Sequence, residues 1–338
     1  MTWKDLPGGP AACLETLTEA GYAAYPVGGC VRDLLLGRKP GDVDICTSAH
    51  PEKVMALFPR AVPTGLPHGT VTVPTEDGNV EITTFRREGG YADSRHPDEV
   101  SFDVGLREDL SRRDFTVNAM ALSRDGAVID PFGGQEDLKK RLIRCVGEAD
   151  KRFSEDALRM LRAVRFAAQL GFSMEENTAA ALSRNAFRVE RVSGERIKAE
   201  IEKILLSPRP QMAALLFQAG LLSHLYLPAA LPDLAPLTEV PPQKEERWRA
   251  FCHLTGFPIA ALPVERSLRR AVERPEEAVI PTLALKPKDL MALGLKGPQI
   301  SAAQKRLALY VLEDPERNTK EALRKLLGEN RLQGGCQI

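Results

Sequence analysis

The distribution of strand-like segments constrains the fold of this chain more than any other feature. Alternating, β-branched segments cluster before about residue 130, and afterwards apolar residues recur mainly at three- and four-residue spacing. The strand-like segments are 22–27, 42–46, 70–74, 80–85 and 127–130. The helical spacing is clearest over 154–170, 175–187, 193–206 and 209–222. This order predicts an α+β domain followed by an all-helical region.

Two stretches interrupt these patterns. The sequence PFGG at 131–134 is a turn signal that closes the strand-rich region, and the proline-rich stretch 226–242 predicts a connector or short broken helices. Helical signals then resume to about residue 327. With 338 residues, 43% of them hydrophobic, the chain is long enough for two or more folding units.

Composition excludes several classes of protein. Lysine plus arginine and aspartate plus glutamate number 46 each, so overall charge gives no sign of a nucleic-acid partner. The six cysteines lie far apart without a C-x-x-C pair, which disfavours a disulfide framework and a structural zinc site. The longest apolar run, 212–222, is too short to span a membrane, and the first residues lack a signal-peptide pattern. We therefore expect a cytoplasmic protein that does not enter the membrane.

The stretch GGCVRDLLLGRKPGDVDIC at 28–46 carries the first chemical signal. If its last five residues form a strand, Asp42 and Asp44 share one face while Val43 and Ile45 face the core. Two carboxylates at that spacing repel each other unless a cation lies between them, and oxygen ligands suit Mg²⁺. Gly28 and Gly29 allow close approach of a ligand to the backbone before the predicted helix CVRDLLLG, in which Arg32 adds a charged donor one turn in. A triphosphate site and an ordinary turn with a solvated strand edge are both open readings of this stretch.

A third acid and a row of arginines extend the pattern. Glu81 lies between Val80 and Ile82 on a predicted strand, which fits either a site residue or a half-exposed strand. Apolar residues of one later helix, Ala157, Leu161, Val164 and Ala168, fall within a narrow arc. The residues stepping around its remaining surface are Asp156, Arg159, Arg162 and Arg165. From spacing alone, these arginines fit a solvated face as well as a binding site.

Five segments occur in the order of the motifs of a known family. They are GGCVRDLLLGRKPGDVDIC, RRDFTVNAMAL, DPFGGQEDLKKRLIRCVG, EDALRMLRAVRFAAQLGF and RVSGERIKAEIEKIL. In these motifs the chain resembles the class II tRNA nucleotidyltransferases, the bacterial CCA-adding enzymes related to bacterial poly(A) polymerases. The resemblance implies an α+β polymerase-β-like nucleotidyltransferase head followed by an all-α neck, body and tail. It places the head at 1–140, the neck at 141–206, and a tRNA-binding body and tail at 207–338.

The resemblance also implies roles for individual residues. Asp42 and Asp44 match the metal-binding pair, with Glu81 as a further catalytic candidate. The nucleotide-binding candidates are Gly28, Gly29, Arg32, Arg113, Asp114, Asn118, Asp156, Arg159, Arg162 and Arg165. Asp114 and Asn118 are expected near the ribose, on a segment predicted to be helical. The alternative is that this segment is an ordinary amphipathic helix that packs through Phe115, Met120 and Leu122. Arg162 and Arg165 are expected to hold triphosphate oxygens or to order the base-reading residues.

Asp156 and Arg159 match the family's base-reading pair, and the chemistry is consistent with that role. A carboxylate accepts a hydrogen bond from the exocyclic amino group that cytosine and adenine share, while arginine donates to the adjacent ring acceptor. Uracil and guanine place a carbonyl where that amino group belongs. The mismatch is expected to cost on the order of a few kcal/mol.

The implied activity is template-independent addition of C, C and A to the 3′ end of tRNA from CTP and ATP. The 3′-hydroxyl attacks the α-phosphate at a two-metal Mg²⁺ site, pyrophosphate leaves, and no protein partner is expected. The polar loop 87–102 matches a family loop associated with adding the terminal A, which argues against a CC-only enzyme. An A-adding enzyme, a poly(A) polymerase and a catalytically silent RNA-binding module remain the alternatives.

Overall fold

The computed structural model describes residues 2–89, 99–273 and 283–329. The strands are β1 Ala24–Val27, β2 Asp44–Thr47, β3 Val62–Gly65, β4 Thr70–Thr75, β5 Gly78–Thr84, β6 Arg87–Gly89, β7 Glu99–Ser101, β8 Ala121–Leu122, β9 Val128–Ile129, β10 Leu142–Ile143 and β11 Ser173–Met174. The first helices are α1 Gly8–Glu19, α2 Gly29–Leu35, α3 Pro51–Leu57, α4 Leu106–Ser111 and α5 Gly134–Lys140. The later helices are α6 Ala149–Glu155, α7 Leu158–Leu170, α8 Glu176–Asn185, α9 Gly194–Leu205, α10 Ala214–Gln218, α11 Lys244–Thr255, α12 Arg266–Glu273, α13 Pro287–Ala292, α14 Pro298–Glu313 and α15 Lys320–Glu329.

A seven-stranded sheet forms the first part of the chain, in the order β3-β4-β5-β2-β1-β8-β9. All five predicted strands belong to it, and the helical region follows, so the predicted fold class is confirmed. Strand β2 lies at the centre, parallel to β5 and antiparallel to β1. Because Val27 pairs with both Asp44 and Ala121, the end of β1 lies between two segments that carry candidate site residues.

Side chains alternate between the two faces of the sheet. Ile45 and Ile82 point into the main hydrophobic core, where Leu14 and Leu17 of α1 are also fully buried. Cys46 faces the other way, into a smaller cluster that includes Leu110 of α4. The five cysteines within the described residues are all buried and free, as expected of thiols packed as small hydrophobes.

Helix α7 is the centre of the helical region. Its predicted core residues Ala157, Leu161, Val164 and Ala168 are completely buried. The helix ends at Gly171, whose φ of 72° is the left-handed conformation that terminates helices. The main core continues from here into the body, where Trp248 and Phe251 are fully buried, and a separate small core joins α13, α14 and α15. No helix within the described ranges is both long and apolar enough to cross a membrane.

Three predicted helices differ from the structure. The helix predicted over 209–222 is shorter, with a 3₁₀ turn at Pro210–Ala213 followed by α10, Ala214–Gln218. The helix predicted over 154–170 is broken at Asp156, whose extended backbone (φ −142°, ψ 107°) separates α6 from α7. The segment predicted as a helix around Asp114 contains only a short 3₁₀ turn, Thr116–Asn118, before β8. There Phe115 bridges to Cys145 and its side chain is completely buried, so tertiary pairing outweighs the local helical periodicity.

Candidate active site

One pocket of about 610 Å³ opens beside the carboxyl end of β1 and the amino end of α7. Eleven of the thirteen candidate residues line it: Gly28, Gly29, Arg32, Asp42, Asp44, Arg113, Asp114, Asn118, Asp156, Arg159 and Arg162. Glu81 and Arg165 are not among its lining residues. The pocket also includes residues that the sequence analysis missed, notably Arg112, Phe166 and Arg196. Its volume falls in the range typical of small-molecule sites.

Gly28 and Gly29 differ in their backbone conformation and in the space available for a side chain. Gly28 has φ 77° and ψ −130°, and a Cβ there would lie 2.8 Å from Nη1 of Arg113. Gly29 begins α2, and a Cβ there would meet Nη2 of Arg32 at an ordinary 3.5 Å. The backbone therefore requires glycine at 28 but not at 29, because the positive φ of Gly28 disfavours any side chain, and a Cβ there would also push the Arg113 guanidinium aside.

The acidic residues lie at the centre of the sheet. Asp44 is the first residue of β2, whereas Asp42 precedes the strand, so the prediction that both lie on one strand is wrong, although both line the same pocket. Val43 and Ile45 are buried as expected. Asp44 is the register partner of Glu81 on β5, so a third carboxylate lies on the strand beside Asp44 but outside the pocket lining.

Two of these carboxylates, Asp44 and Glu81, have a raised pKa. The Asp44 carboxylate reaches the open pocket, but the protein crowding its other sides raises its pKa, and the charge of Asp42 adds to this effect while Arg113 opposes it. The pKa of Glu81 is also raised, first by partial burial and then by Asp44 and Asp42. A cation bound between these groups would relieve the repulsion.

The donor set fits Mg²⁺ better than a softer metal. Within the described residues, no group of three or more His, Cys, Asp or Glu side chains could hold a metal ion alone. Asp42 and Asp44 offer hard carboxylate oxygens, and Mg²⁺ characteristically takes one or two of these together with water and phosphate oxygens. The site thus suits a metal that arrives with a phosphorylated substrate.

A chain of polar contacts crosses the floor of the pocket. Arg32 donates through Nη1 to Oδ1 of Asn118 at 2.7 Å, and Asn118 donates through Nδ2 to Oδ1 of Asp114 at 3.3 Å. Arg162 donates to the other oxygen of Asp114 through Nε at 2.7 Å and pairs with it through Nη2 at 2.6 Å. Although burial disfavours its charged form, the Arg162 guanidinium lowers the pKa of Asp114 to about 2.

Asp109 orders two arginines at the rim, and the sequence analysis did not identify it. Its carboxylate is completely buried and accepts from Nε and Nη2 of Arg112 at 3.0 and 2.8 Å. The other oxygen lies 3.5 Å from Nη2 of Arg113. Burial disfavours the charge, yet the two arginines lower the pKa of Asp109. The sequence signal for this role was its position three residues before Arg112 and four before Arg113.

Asp156 and Arg159 both reach the pocket but pair with other residues. The Asp156 carboxylate accepts from the backbone N–H of Leu158 at 3.0 Å and pairs with Arg196 of α9 at 3.2 Å. Arg159 pairs with Glu155 at 2.7 Å and donates to the carbonyl of Arg112 at 2.9 Å. The break at Asp156 therefore turns its carboxylate towards the pocket and caps α7 at the same time.

Arg165 lies behind the pocket. Its Nε is 2.9 Å from Oε2 of Glu200 on α9, and both side chains are at least nine-tenths buried. Burial lowers the pKa of Arg165, and the charge of Glu200 counteracts part of that effect. The predicted direct contact with the triphosphate is not supported by this placement, whereas ordering of the base-reading helix stays a prediction.

Two family models match the chain in succession. Residues 24–144 match the poly A polymerase head domain, and residues 171–236 match the probable RNA and SrmB-binding site of polymerase A. The chain is 46% identical over 293 residues to the CCA-adding enzyme of Geobacillus thermodenitrificans, covering 81% of this chain and 70% of that protein. It is 49% identical over 255 residues to the CCA-adding enzyme of Anoxybacillus flavithermus, covering 72% of this chain and 63% of that protein.

A solved structure agrees over nearly the whole length. The Bacillus stearothermophilus CCA-adding enzyme in complex with CTP aligns with a TM-score of 0.67 and 34% identity, covering 95% of this chain and 97% of that chain. A Thermotoga maritima CCA-adding enzyme complexed with tRNA aligns with a TM-score of 0.60 at 20% identity, which supports the fold alone.

Proposed function

The chain belongs to the CCA-adding enzymes, and on that premise we propose that it adds C, C and A to the 3′ end of tRNA from CTP and ATP, without a nucleic-acid template. The observation that carries this proposal is the convergence of Asp42 and Asp44 with Asp156 and Arg159 on one pocket. The acidic pair suits phosphoryl transfer, and the second pair suits selection of a base. A silent RNA-binding module would have no need of both.

Binding of the nucleotide follows from the pocket's charges. Gly28 and Gly29 leave room for the triphosphate, while Arg32 and Arg113 supply charged donors to its oxygens. Asp114 and Asn118, which are expected near the ribose, hold Arg32 and Arg162 in place. Asp42 and Asp44 would hold Mg²⁺ through their carboxylate oxygens, and the metal would lower the pKa of the tRNA 3′-hydroxyl and stabilise the charge of the leaving pyrophosphate. The hydroxyl then attacks the α-phosphate in line, with no covalent enzyme intermediate.

Selection of the base rests on Asp156 and Arg159. The carboxylate accepts from the amino group of cytosine or adenine, and the guanidinium donates to the neighbouring ring nitrogen. Arg196 and Glu155 orient this pair through the ion pairs at 3.2 and 2.7 Å. UTP and GTP are rejected because two acceptors would face each other in a partly buried site.

The domain limits and the tRNA contacts are part of the same proposal. The head occupies 1–140, the neck 141–206, and the body and tail, which bind tRNA, 207–338. Addition of the terminal A is assigned to the loop 87–102, most of which lies outside the described residues. Location in the cytoplasm, where tRNA is processed, remains a prediction.

Stepwise addition to tRNA tests the function. Transcripts ending before C, after C and after CC would be incubated with CTP, ATP or both, and the products resolved at single-nucleotide resolution. Addition of C, C and then A supports the proposal, and Asp42→Ala should lower the rate at least about a thousandfold. Addition of A alone to the CC-ended transcript would indicate an A-adding enzyme, and long A tails on unrelated RNA a poly(A) polymerase. Binding without any addition would indicate the silent module.

A further inference from the structure

Three arginines surround the ring of Phe166, a pocket residue on α7 that is 8% exposed. The guanidinium carbons lie over the ring at 4.2 Å for Arg165, 5.4 Å for Arg162 and 5.5 Å for Arg32, measured to its centroid. A cation within about 6 Å of an aromatic centroid is attracted by the negative face of the ring. Phe166 therefore meets the criterion for a cation–π contact with all three.

Each arginine is also paired with a carboxylate of its own. Arg32 lies 2.9 Å from Asp33, Arg162 lies 2.6 Å from Asp114, and Arg165 lies 2.9 Å from Glu200. These anions lie on α2, on the segment before β8 and on α9. Like charges gathered around one point repel, so the three cations need an attraction at the centre as well as partners at the periphery.

Arg32 and Arg162 are linked in two ways, through hydrogen bonds and through the ring of Phe166. On one side the two arginines are joined through Asn118 and Asp114 by hydrogen bonds of 2.7, 3.3 and 2.7 Å. On the other side both lie over Phe166. The ring itself is held by Phe115, which is fully buried and meets it edge-to-face at 5.7 Å and 78°.

We propose that Phe166 is a positioning residue for nucleotide binding: its ring attracts Arg32 and Arg162 and holds them at the separation that the triphosphate requires. This inference rests on the proposed function, since it presumes that the pocket receives a nucleoside triphosphate. Phe166 makes no hydrogen bond to the substrate in this role. It acts through the two cations, and loss of its π-face should therefore weaken nucleotide binding more than it slows the chemical step.

The alternative is a purely structural role, in which Phe166 only fills space between α7 and the head. A shape-filling residue and a π-donor respond differently when the ring's electrons are withdrawn but its shape is kept. Fluorination does this, because each fluorine reduces the negative potential of the face with little change in size. A packing role predicts no trend with fluorine number, and a cation–π role predicts a graded loss.

The test uses the full-length protein with mono-, di- and trifluorinated phenylalanine introduced at position 166, and measures CTP binding by calorimetry with Mg²⁺ and without tRNA. We expect the Kd for CTP to rise step by step, by about tenfold in total. The KM for CTP and ATP should rise in parallel while kcat changes less than twofold. The matched control is a trifluorinated residue at position 172. Phe172 is 4% exposed, and no arginine within the described residues lies over its ring.

Two further variants keep the result decisive. Phe166→Tyr retains the π-face and should bind CTP within about twofold of the wild type, whereas Phe166→Leu should lose at least as much as the trifluorinated protein. Unchanged CTP affinity across the fluorinated series, at unchanged Tm, would overturn the inference. If the wild type adds nucleotides normally, the proposed function survives that outcome. If the wild type binds no CTP at all, both proposals fail together.

Discussion

Asp44 and Glu81 stand directly opposite each other on the parallel strands β2 and β5, at the centre of the sheet. Both have a raised pKa, Asp44 chiefly because the surrounding protein desolvates it, with Asp42 adding to the effect. A carboxyl whose pKa is raised in the folded state loses stabilisation as pH rises through that pKa. The metal-free protein is thus less stable at neutral pH than it would be without this charge.

Asp44→Asn should consequently stabilise the metal-free protein and abolish its activity. We expect a small rise in Tm at pH 7, limited because solvent reaches the Asp44 carboxylate and screens its charge, and the rise should shrink as pH falls towards about 4. Mg²⁺ should raise the Tm of the wild type but not of the variant. Thermal unfolding with EDTA or Mg²⁺ measures this, and a variant less stable than the wild type in EDTA at pH 7 would contradict it.

Asp156→Asn should relax selection of the base while leaving the fold intact. An amide still accepts from the Leu158 N–H that Asp156 now caps, and it can also donate to the carbonyl of uracil. The ratio of kcat/KM for CTP over UTP should fall by about 10- to 100-fold. Competition assays on the same tRNA transcript measure the ratio. An unchanged ratio would exclude Asp156 from base reading, and Asp103→Asn, with an exposed side chain, serves as a control.

Asp114→Ala should destabilise the protein, with a characteristic pH dependence. Removal of the carboxylate leaves Arg162 without its main partner and should cost roughly 2–4 kcal/mol, towards the lower end because Arg162 is 34% exposed. Since the pKa of Asp114 is lowered to about 2, its contribution is complete above pH 4 and lost as pH falls towards 2. Urea unfolding at several pH values should show the wild type and the variant converging in that interval. Equal differences at every pH would contradict the prediction.

Gly28→Ala and Gly29→Ala form a matched pair. Alanine at 28 would adopt φ 77° at a cost of about 1–2 kcal/mol and would displace Arg113, so nucleotide binding should weaken as well. Alanine at 29 should be neutral or stabilise α2 by up to about 1 kcal/mol. Thermal unfolding and the KM for CTP distinguish the two. Similar losses in both variants would mean that the whole turn, rather than Gly28 alone, requires glycine.

Local periodicity was enough to predict five strands of the main sheet and the core face of α7, whereas the motif resemblance supplied most of the eleven candidate residues that line the pocket. It failed where long-range contacts decide the backbone or the partner. Phe115 pairs with Cys145 and draws its segment out of a helix, and Asp156 breaks its helix to reach Arg196. Arg165 shares the spacing of Arg162, but Glu200 of α9 binds it behind the pocket. The spacing of residues along the sequence predicts which side chains share a face of a helix or strand. It does not predict ion pairs between residues thirty or more positions apart.

The proposed base-reading pair can be described by the information it carries. Asp156 and Arg159 test one property of the incoming base, the presence of an amino group beside a ring acceptor, and cytosine and adenine give the same answer. This recognition separates cytosine and adenine from uracil and guanine but does not separate cytosine from adenine, whereas addition of C, C and A requires a different nucleotide at the third step. On the proposed assignment, the change from CTP to ATP at the third step therefore depends on the 3′ end of the RNA, which already carries the two added cytidines.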